Sequence, residues 1–486
     1  MLDADTVLET HISWVYLVGD RAYKRKKPVR TGFLDYSTPA LRAEACAEEV
    51  RLGRRLAPDV YLGVEPLAGD DWAVVMKRMP LDRRLSSLVV TGADVSGAVR
   101  EVARRVAALH LRSGRLPAAD AAASAKAALA RWEANHAEMA PLAGLLAAPE
   151  AAEHALELAR TYVAGRGPLF AERVAAGRAV DGHGDLLADD IFVLPDGPRV
   201  LDPIEFDPNL RYGDGLADIA FLAMHLEWLG APDLRDELLA RYCEFAADRW
   251  PASLAHFHIA YRAQVRAKVA CLAAAQHGAA GAPEADSFLA LAGRHLDEGR
   301  VRLVLVGGPP ATGKTTVAAS LADNHGWVVL RSDEVRKELA GIPSTRPAAA
   351  PLMSGVYSPT MTALTYGELL HRARRLVERG ESTVLDATWG DAMWRDEARR
   401  IASVAHADLI ELRCAAPVEV AARRAEARGP GASDAGPEVA AALAARFAAW
   451  PEAMVVRTTG TAEEACRVAA TAVGPRPVAG EVAALS

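Results

Sequence analysis

LVLVGGPPATGKTT, residues 303–316, runs an unbroken apolar segment into a loop with glycines at 307, 308 and 313 and a lysine at 314. A short apolar run stopped by glycines reads as a buried strand, and TTVAASLA at 315–322 continues as a helix. Gly308 to Thr315 match G-x-x-x-x-G-K-[ST] in the strand–loop–helix setting that gives the motif its physics. The glycines allow backbone N–H groups to close around a phosphate, and the helix start adds partial positive charge. Lys314 is placed to bridge β- and γ-phosphates and the Thr315 hydroxyl to ligate Mg²⁺. Gly308, Gly313, Lys314, Thr315 and Thr316 are the candidate nucleotide contacts.

Outward from this loop, WVVLRS (327–332), STVLDAT (382–388), DLIELRC (408–414) and AMVVRTT (453–459) alternate with helical stretches. This pattern predicts an α/β domain with a mostly parallel sheet over residues 299–475, followed by a flexible tail at 476–486. Asp333 falls where the second strand meets a helix, which suits orienting an acceptor hydroxyl and equally suits a helix cap. Asp386 ends the third strand, where a carboxylate reaches the metal. Arg424 and Arg428 lie four apart beside Arg423, either to offset charge on a transferring phosphoryl group or as a solvated basic face. With GGPPATGKTT, LRSD, VLDAT and LRCAAPVEVAARR, the segment resembles P-loop kinases of the gluconate kinase, chloramphenicol phosphotransferase and zeta-toxin type. ATP rather than GTP is implied by that resemblance.

The first half reads differently. HISWVYLVG, a Gly19–Asp20 turn and AYKRKKPV predict a β-hairpin with Lys24 and Lys26 on one face. A helix follows over 41–56, then short strands, then a long helical lobe from about 95 to 177. His183-Gly184-Asp185, Asp189, Asp190, Asp202, Glu205, Asp214 and Asp218 crowd carboxylates into one stretch. Such density predicts a metal site or an acid–base pair, because close carboxylates raise one another's pKa unless a cation compensates. Residues 276–287 are rich in small residues and read as a boundary or surface loop.

HGDLLADDI, VLDPIEF and GDGLAD resemble the aminoglycoside phosphotransferase and choline kinase-like fold, implying an α+β bilobal kinase-like domain over residues 1–295. The resemblance implies that Asp185 accepts or orients the acceptor hydroxyl, that His183 braces its loop, and that Asp202 holds Mg²⁺. Asp214 and Asp218 are its structural aspartates. Leu187 and Asp190 depart from the family's H-G-D-x-H-x-x-N; Asp190 can still bind metal, at the cost of an added charge. Lys24 is the expected phosphate lysine, with Lys26 as alternative, and Glu49 is its expected partner, with Glu48 as alternative. VVMKRM at 74–79 is the expected hinge beside adenine, and Gly19 marks the only turn near a phosphate loop. The whole arrangement resembles a bacterial family that fuses such a domain to a P-loop kinase domain.

The chain's 486 residues, 51% hydrophobic and 24% charged, suffice for more than one core. A net charge of -7 gives no broad basic field, so neither nucleic acid nor membrane is an expected partner. Five cysteines without paired spacing fit a reducing compartment, and the acidic start lacks a secretory pattern, so a cytoplasmic setting is expected. Only eight of the 56 basic residues are lysine, three of them at 24, 26 and 27. The expectation is therefore an ATP- and Mg²⁺-dependent phosphotransferase acting on a small-molecule hydroxyl, with two kinase centres and an open oligomeric state. The alternative is a nucleotide-gated regulatory or binding protein in which one or both halves are catalytically silent. Glu133, Glu138, Glu150 and Glu153 would serve a cationic antibiotic acceptor, or merely solvent.

Overall fold

In the computed structural model, which describes residues 6–10, 12–30, 34–67, 71–343, 355–427 and 442–474, the alternating amino-terminal segments form one antiparallel sheet. Strands β1 (Thr6–Glu9), β2 (Ser13–Val18), β3 (Arg21–Lys26), β4 (Tyr61–Leu67) and β5 (Asp71–Lys77) lie in the order β1-β2-β3-β5-β4. Gly19, at φ +55°, makes the β2–β3 turn. The β3 register opposes Lys24 to Val15 and Lys26 to Ser13, so both lysines point to the sheet's covered face. Helix α1 (Pro39–Gly53) packs there through Cys46 and Val50 against Tyr61 and Val74. It starts two residues before the expected position because the Thr38 hydroxyl caps the Leu41 N–H and Pro39 has a backbone preset for a first turn. It stops at Gly53, where any side chain would collide with the Tyr61 ring.

The helical lobe begins with α2 (Leu85–Val90), α3 (Ser96–Arg112), α4 (Pro117–Ala122), α5 (Ala125–Met139), α6 (Glu150–Gly165) and α7 (Gly167–Ala175). Two small antiparallel pairs follow, β6 (Ala179–Asp181) with β9 (Tyr212–Asp214) and β7 (Ile191–Leu194) with β8 (Gly197–Val200). Helices α8 (Gly215–Trp228), α9 (Pro232–Ala246), α10 (Ala252–Gln276) and α11 (Pro283–Glu298) complete the lobe. Of residues 276–287, expected as a boundary or surface loop, 277–282 form a mostly exposed connection turning at Gly278 that folds α11 back along α10, and 283–287 already belong to α11. The chain crosses to the next unit through Gly299, Arg300 and Val301.

There β10 (Arg302–Gly307) occupies the middle of a parallel sheet, with Leu303 to Val306 wholly inaccessible. Helices α12 (Lys314–His325) and α13 (Ser332–Leu339) flank β11 (Val328–Arg331); α14 (Pro359–Glu378), β12 (Thr383–Asp386), α15 (Ala392–Val404) and β13 (Asp408–Ala415) come next. Helix α16 (Val418–Glu426), β14 (Met454–Arg457) and α17 (Ala462–Val473) end the described chain. The order β11-β12-β10-β13-β14, all parallel, aligns Arg331 and Val306 with Asp386 at the carboxyl edge. Ligand groups collect at that edge in open α/β sheets. The expected tail at 476–486 lies outside the described residues.

The two units share one apolar core, which runs from Leu291 and Leu296 of α11 into Leu303 and Leu305 of β10. At the α6–α7 corner Arg166, 1% exposed, donates to the carbonyls of Ala405 (2.6 Å) and His406 (3.3 Å). Gly165 lies against the same Ala405 carbonyl, leaving no room for a Cβ. Ser253 donates to the Gly380 carbonyl at 2.8 Å, and Arg379 pairs with Glu172 at 2.7 Å. We expect the wild-type chain to melt in one cooperative transition and Gly165→Val to split it into two in scanning calorimetry; a single unchanged transition would refute this account of the junction.

Candidate active sites

Lys24 and Lys26 converge on Glu49 of α1. Lys24 Nζ is 3.1 Å from one Glu49 oxygen and in direct contact with Asp202. Lys26, fully buried, contacts the other Glu49 oxygen and Glu205, which also receives the Tyr36 hydroxyl. Glu48 faces outward and pairs with Arg51. The alternation that left the two lysines equivalent thus puts both inside, and their second partners distinguish them: Lys24 reaches the Asp202 loop, whereas Lys26 is sealed behind it. Burial disfavours both ammonium groups, but Asp202 and Glu49 around Lys24, and Glu205 and Glu49 around Lys26, outweigh it and hold both above the ordinary lysine range. Burial prevails at Glu49, which is pushed up despite its two lysines.

The loop after β6 is held from behind. Asp218 of α8 accepts the backbone N–H groups of His183 (2.9 Å) and Gly184 (2.8 Å) and bonds His110 Nε2 at 2.9 Å. Burial raises the Asp218 carboxyl, but His110 and His183 outweigh it and leave it well below the usual carboxylate range. Gly184, at φ +91°, has Ile204, Arg211 and the Leu210 carbonyl where a Cβ would stand. His183 Nε2 lies 3.0 Å from the Leu201 carbonyl and its Nδ1 accepts the Asp185 N–H at 3.3 Å, so the ring ties the Asp185 turn to the segment carrying Asp202. Asp202 itself has φ +63°, a conformation rare outside glycine and asparagine, with its N–H on the Tyr61 hydroxyl at 2.9 Å.

Asp185, Asp190 and Asp202 feel one another. Burial first, then Asp202 and Asp185, push the Asp190 carboxyl well above its ordinary value. Burial also raises Asp185 against the opposing pull of Arg266. Asp202 is the exception: burial raises it, but Lys24 and Lys26 outweigh burial and hold it down. Lys24 and Lys26 on one side and Arg262 and Arg266 on the other leave Asp185 and Asp190 raised all the same, and hard oxygen donors in that state fit a divalent cation such as Mg²⁺.

Arg262 and Arg266 of α10 flank this site, Arg262 donating to the Gly184 carbonyl at 3.2 Å. Sequence reasoning passed over them although their i, i+4 spacing was the available signal. Three of the four helical-lobe carboxylates expected to serve a cationic acceptor sit in surface pairs: Glu133 with Arg160 (3.3 Å), Glu138 with Lys268 (3.1 Å) and Glu153 with His136 (3.0 Å). Gly19 lies at the opposite end of β2 from Lys26; near Lys26 the Thr10 hydroxyl accepts the Ser13 N–H at 3.0 Å.

In the second unit Gly308 (φ +135°) and Gly313 (φ +87°) carry the loop, with the Cys414 carbonyl packed where a Gly308 Cβ would be. Lys314 Nζ lies over the loop, 2.9 Å from the Pro309 carbonyl. Thr315 and Thr316 open α12 at the surface. Burial raises the Asp386 carboxyl, opposed by Lys314 and by a hydrogen bond with Thr315. This hydroxyl–carboxylate pair at the start of α12 is a hard-oxygen donor set that fits Mg²⁺. Asp333 is ion-paired to Arg336 on its own helix at 2.7 Å. Arg424 donates to the Thr458 carbonyl at 2.6 Å, and the Thr458 hydroxyl donates to the Thr312 carbonyl at 2.8 Å. Arg424 is therefore linked through Thr458 to the loop, while Arg428 lies outside the described residues.

A family model described as an AAA domain matches residues 303–450. Over 464 residues the chain is 43% identical to Uncharacterized protein Rv2004c of Mycobacterium tuberculosis and to Uncharacterized protein Mb2027c of Mycobacterium bovis, covering 94% of this chain and 93% of each relative. The chain belongs to their family. Among solved structures, choline kinase from Cryptosporidium parvum Iowa II is similar at TM-score 0.43 and 10% identity, covering 60% of this chain and 88% of that one. An aminoglycoside phosphotransferase from Alicyclobacillus acidocaldarius gives 0.33 and 14%, covering 61% and 94%. A sugar kinase from Janibacter sp. HTCC2649 gives 0.30 and 19%, covering 37% and 98%. These likenesses to kinase-like folds are distant. Among the described residues no helix is long and apolar enough to cross a membrane.

Burial pushes His183, His225 and His258 each down to about 4, against about 6.5 for an exposed histidine. The unfolded chain binds the extra protons between those values, so these histidines contribute stability that is full above about pH 6.5 and lost progressively toward pH 4, while the raised Glu49, Asp185, Asp190 and Asp386 act in the opposite sense. Thermal unfolding of wild type and His258→Gln across that range checks the sign: the variant should lose less melting temperature on acidification, and an equal or steeper loss would contradict it.

Proposed function

We propose that the family member described here is an ATP- and Mg²⁺-dependent phosphotransferase acting on a hydroxyl of a small molecule, with one nucleotide centre in each of two units, 1–295 and 299–475. One observation carries this reading: in both units a lysine stands beside carboxylate or hydroxyl oxygens suited to a metal, Lys24 with Asp202 and Lys314 near the Thr315–Asp386 pair. Phosphoryl transfer asks mainly for positioning and charge stabilisation, which such a constellation supplies.

In the first unit Lys24, held by Glu49, binds the α- and β-phosphates, and Asp190 and Asp202 would hold the metal. Mg²⁺ there would neutralise phosphate charge. Asp185 takes the acceptor's proton as its oxygen bonds the γ-phosphorus and the bond to the ADP oxygen breaks. In the second unit the Gly308–Gly313 backbone and Lys314 bind phosphates, Thr315 and Asp386 would hold the metal, and Asp333 orients the acceptor. The paired state of Glu133, Glu138 and Glu153, together with Arg262 and Arg266 beside Asp185, favours a neutral or anionic acceptor over a polycationic antibiotic. A second reading, in which the P-loop unit binds nucleotide as a regulatory element without transferring phosphate, is favoured by the Asp333–Arg336 ion pair.

A mass-spectrometric screen over sugars, nucleosides and amino alcohols tests the proposal. Asp185→Asn should lower first-unit product about 10²- to 10⁴-fold, and Lys314→Ala should abolish second-unit product, each sparing the other. Complete loss in Lys314→Ala with none in Asp185→Asn would overturn the two-centre reading; absence of any phosphorylated product would favour the regulatory one.

A further inference from the structure

The junction between the units carries a group of side chains that neither centre uses. His256 near the start of α10 faces His295 and Glu298, which stand one turn apart in the last turn of α11. Their Nδ1 atoms approach to 2.8 Å, and Glu298 Oε2 lies 3.6 Å from His256 Nδ1. All three ligand atoms fall within 4.8 Å of one another, and among the described residues no other three His, Cys, Asp or Glu side chains gather so closely. Metal–ligand bonds of about 2.0–2.1 Å in a tetrahedron require ligand atoms about 3.3 Å apart. The His256–Glu298 separation is already near that value, and the two nitrogens need to part by only about half an ångström.

The surroundings also suit a metal. His295, wholly buried, places Nε2 2.8 Å from a Glu227 oxygen, and Glu227 is in turn held by Arg235 and Arg294. A carboxylate behind a histidine in this way places the proton on Nε2, leaves the Nδ1 lone pair forward and raises its basicity. Burial, then His295, pushes His256 down to about 3, so its ring is neutral near pH 7. Gly299 backs the His256 ring closely, a Cβ there standing 2.8 Å from the His256 Cβ. A cavity of about 100 Å³ lined by His295, Gly299, Arg300 and His406 reaches His295, though neither His256 nor Glu298 lines it, and has room for water.

We propose that His256, His295 and Glu298 bind one divalent transition metal of the zinc class, with a fourth position left to water. Two imidazoles and one carboxylate select Zn²⁺, Co²⁺ or Ni²⁺ over Mg²⁺, which separates this site from both nucleotide centres. On binding, the His256 proton moves from Nδ1 to Nε2, and Glu298 binds as the carboxylate. The metal would pin the start of α10 to the end of α11, immediately before the chain enters β10 and the phosphate loop.

Co²⁺ titrated into the chelator-stripped full chain tests this. One equivalent should produce the visible d–d bands of low-coordinate, nitrogen-bound Co²⁺ and be displaced by Zn²⁺. The bands should vanish in His256→Gln, weaken at least tenfold in affinity in Glu298→Gln, and persist in Lys314→Ala and Asp202→Asn. Zn²⁺ should raise the melting temperature of wild type and not of His256→Gln. Glu298 is only partly buried, so the Glu298→Gln arm remains readable if a histidine variant misfolds. No visible band with wild type, or bands of equal strength and affinity in His256→Gln and Glu298→Gln, would overturn the proposal and leave a hydrogen-bonded histidine pair only.

Discussion

Glu49, inaccessible to solvent, is shared by two buried lysines. A carboxylate taken that far from water costs several kcal/mol unless its partners are fixed and close, and the same holds for each ammonium. The sharing therefore acts as a constraint on everything around it. Lys24 and Lys26 tie β3 to α1, and their second partners, Asp202 and Glu205, belong to the segment after β8. The sheet and the helical lobe are joined where the charges meet, so the site exists only when both are folded and docked. Two lysines face three carboxylates, Glu49, Asp202 and Glu205, so the cluster keeps one negative charge in excess of its ammonium groups.

In the second unit a strand with an apolar interior performs the equivalent task. β10 buries four consecutive apolar side chains between two parallel neighbours and delivers its last residues, through glycines with positive φ, to the start of α12. Its charged groups gather around the loop, Lys314 on the Pro309 carbonyl, the buried Asp386 near Lys314 and Thr315, and Arg424 linked through Thr458. The first unit joins its functional charges across two lobes; the second gathers them at one sheet edge.

Local patterns made much of this legible in advance. The phosphate loop, its strands, the β2–β3 hairpin and the β7–β8 hairpin rest on neighbouring residues and on periodicity, which one chain displays. Pairings across long intervals were not legible. Alternation put Lys24 and Lys26 on one face, but only residues 202 and 205 tell them apart. Arg424 looked ready to close over a ligand, because nothing near it in the chain announces Thr458. The stretch at 276–287 resembled a linker in composition, although α11 must fold back for His295 to meet His256. Small residues mark a tight turn between helices as readily as a boundary.

The corner at Gly165 and Arg166 also bears on how the chain is made. Its carbonyl partners at 405 and 406 are synthesised more than a hundred residues after the helical lobe is complete, which at ordinary translation rates is roughly 5 to 20 seconds. During that interval the lobe presents an unanswered guanidinium, and β10, made just after the lobe, waits for β12 and β13 before it has strand neighbours.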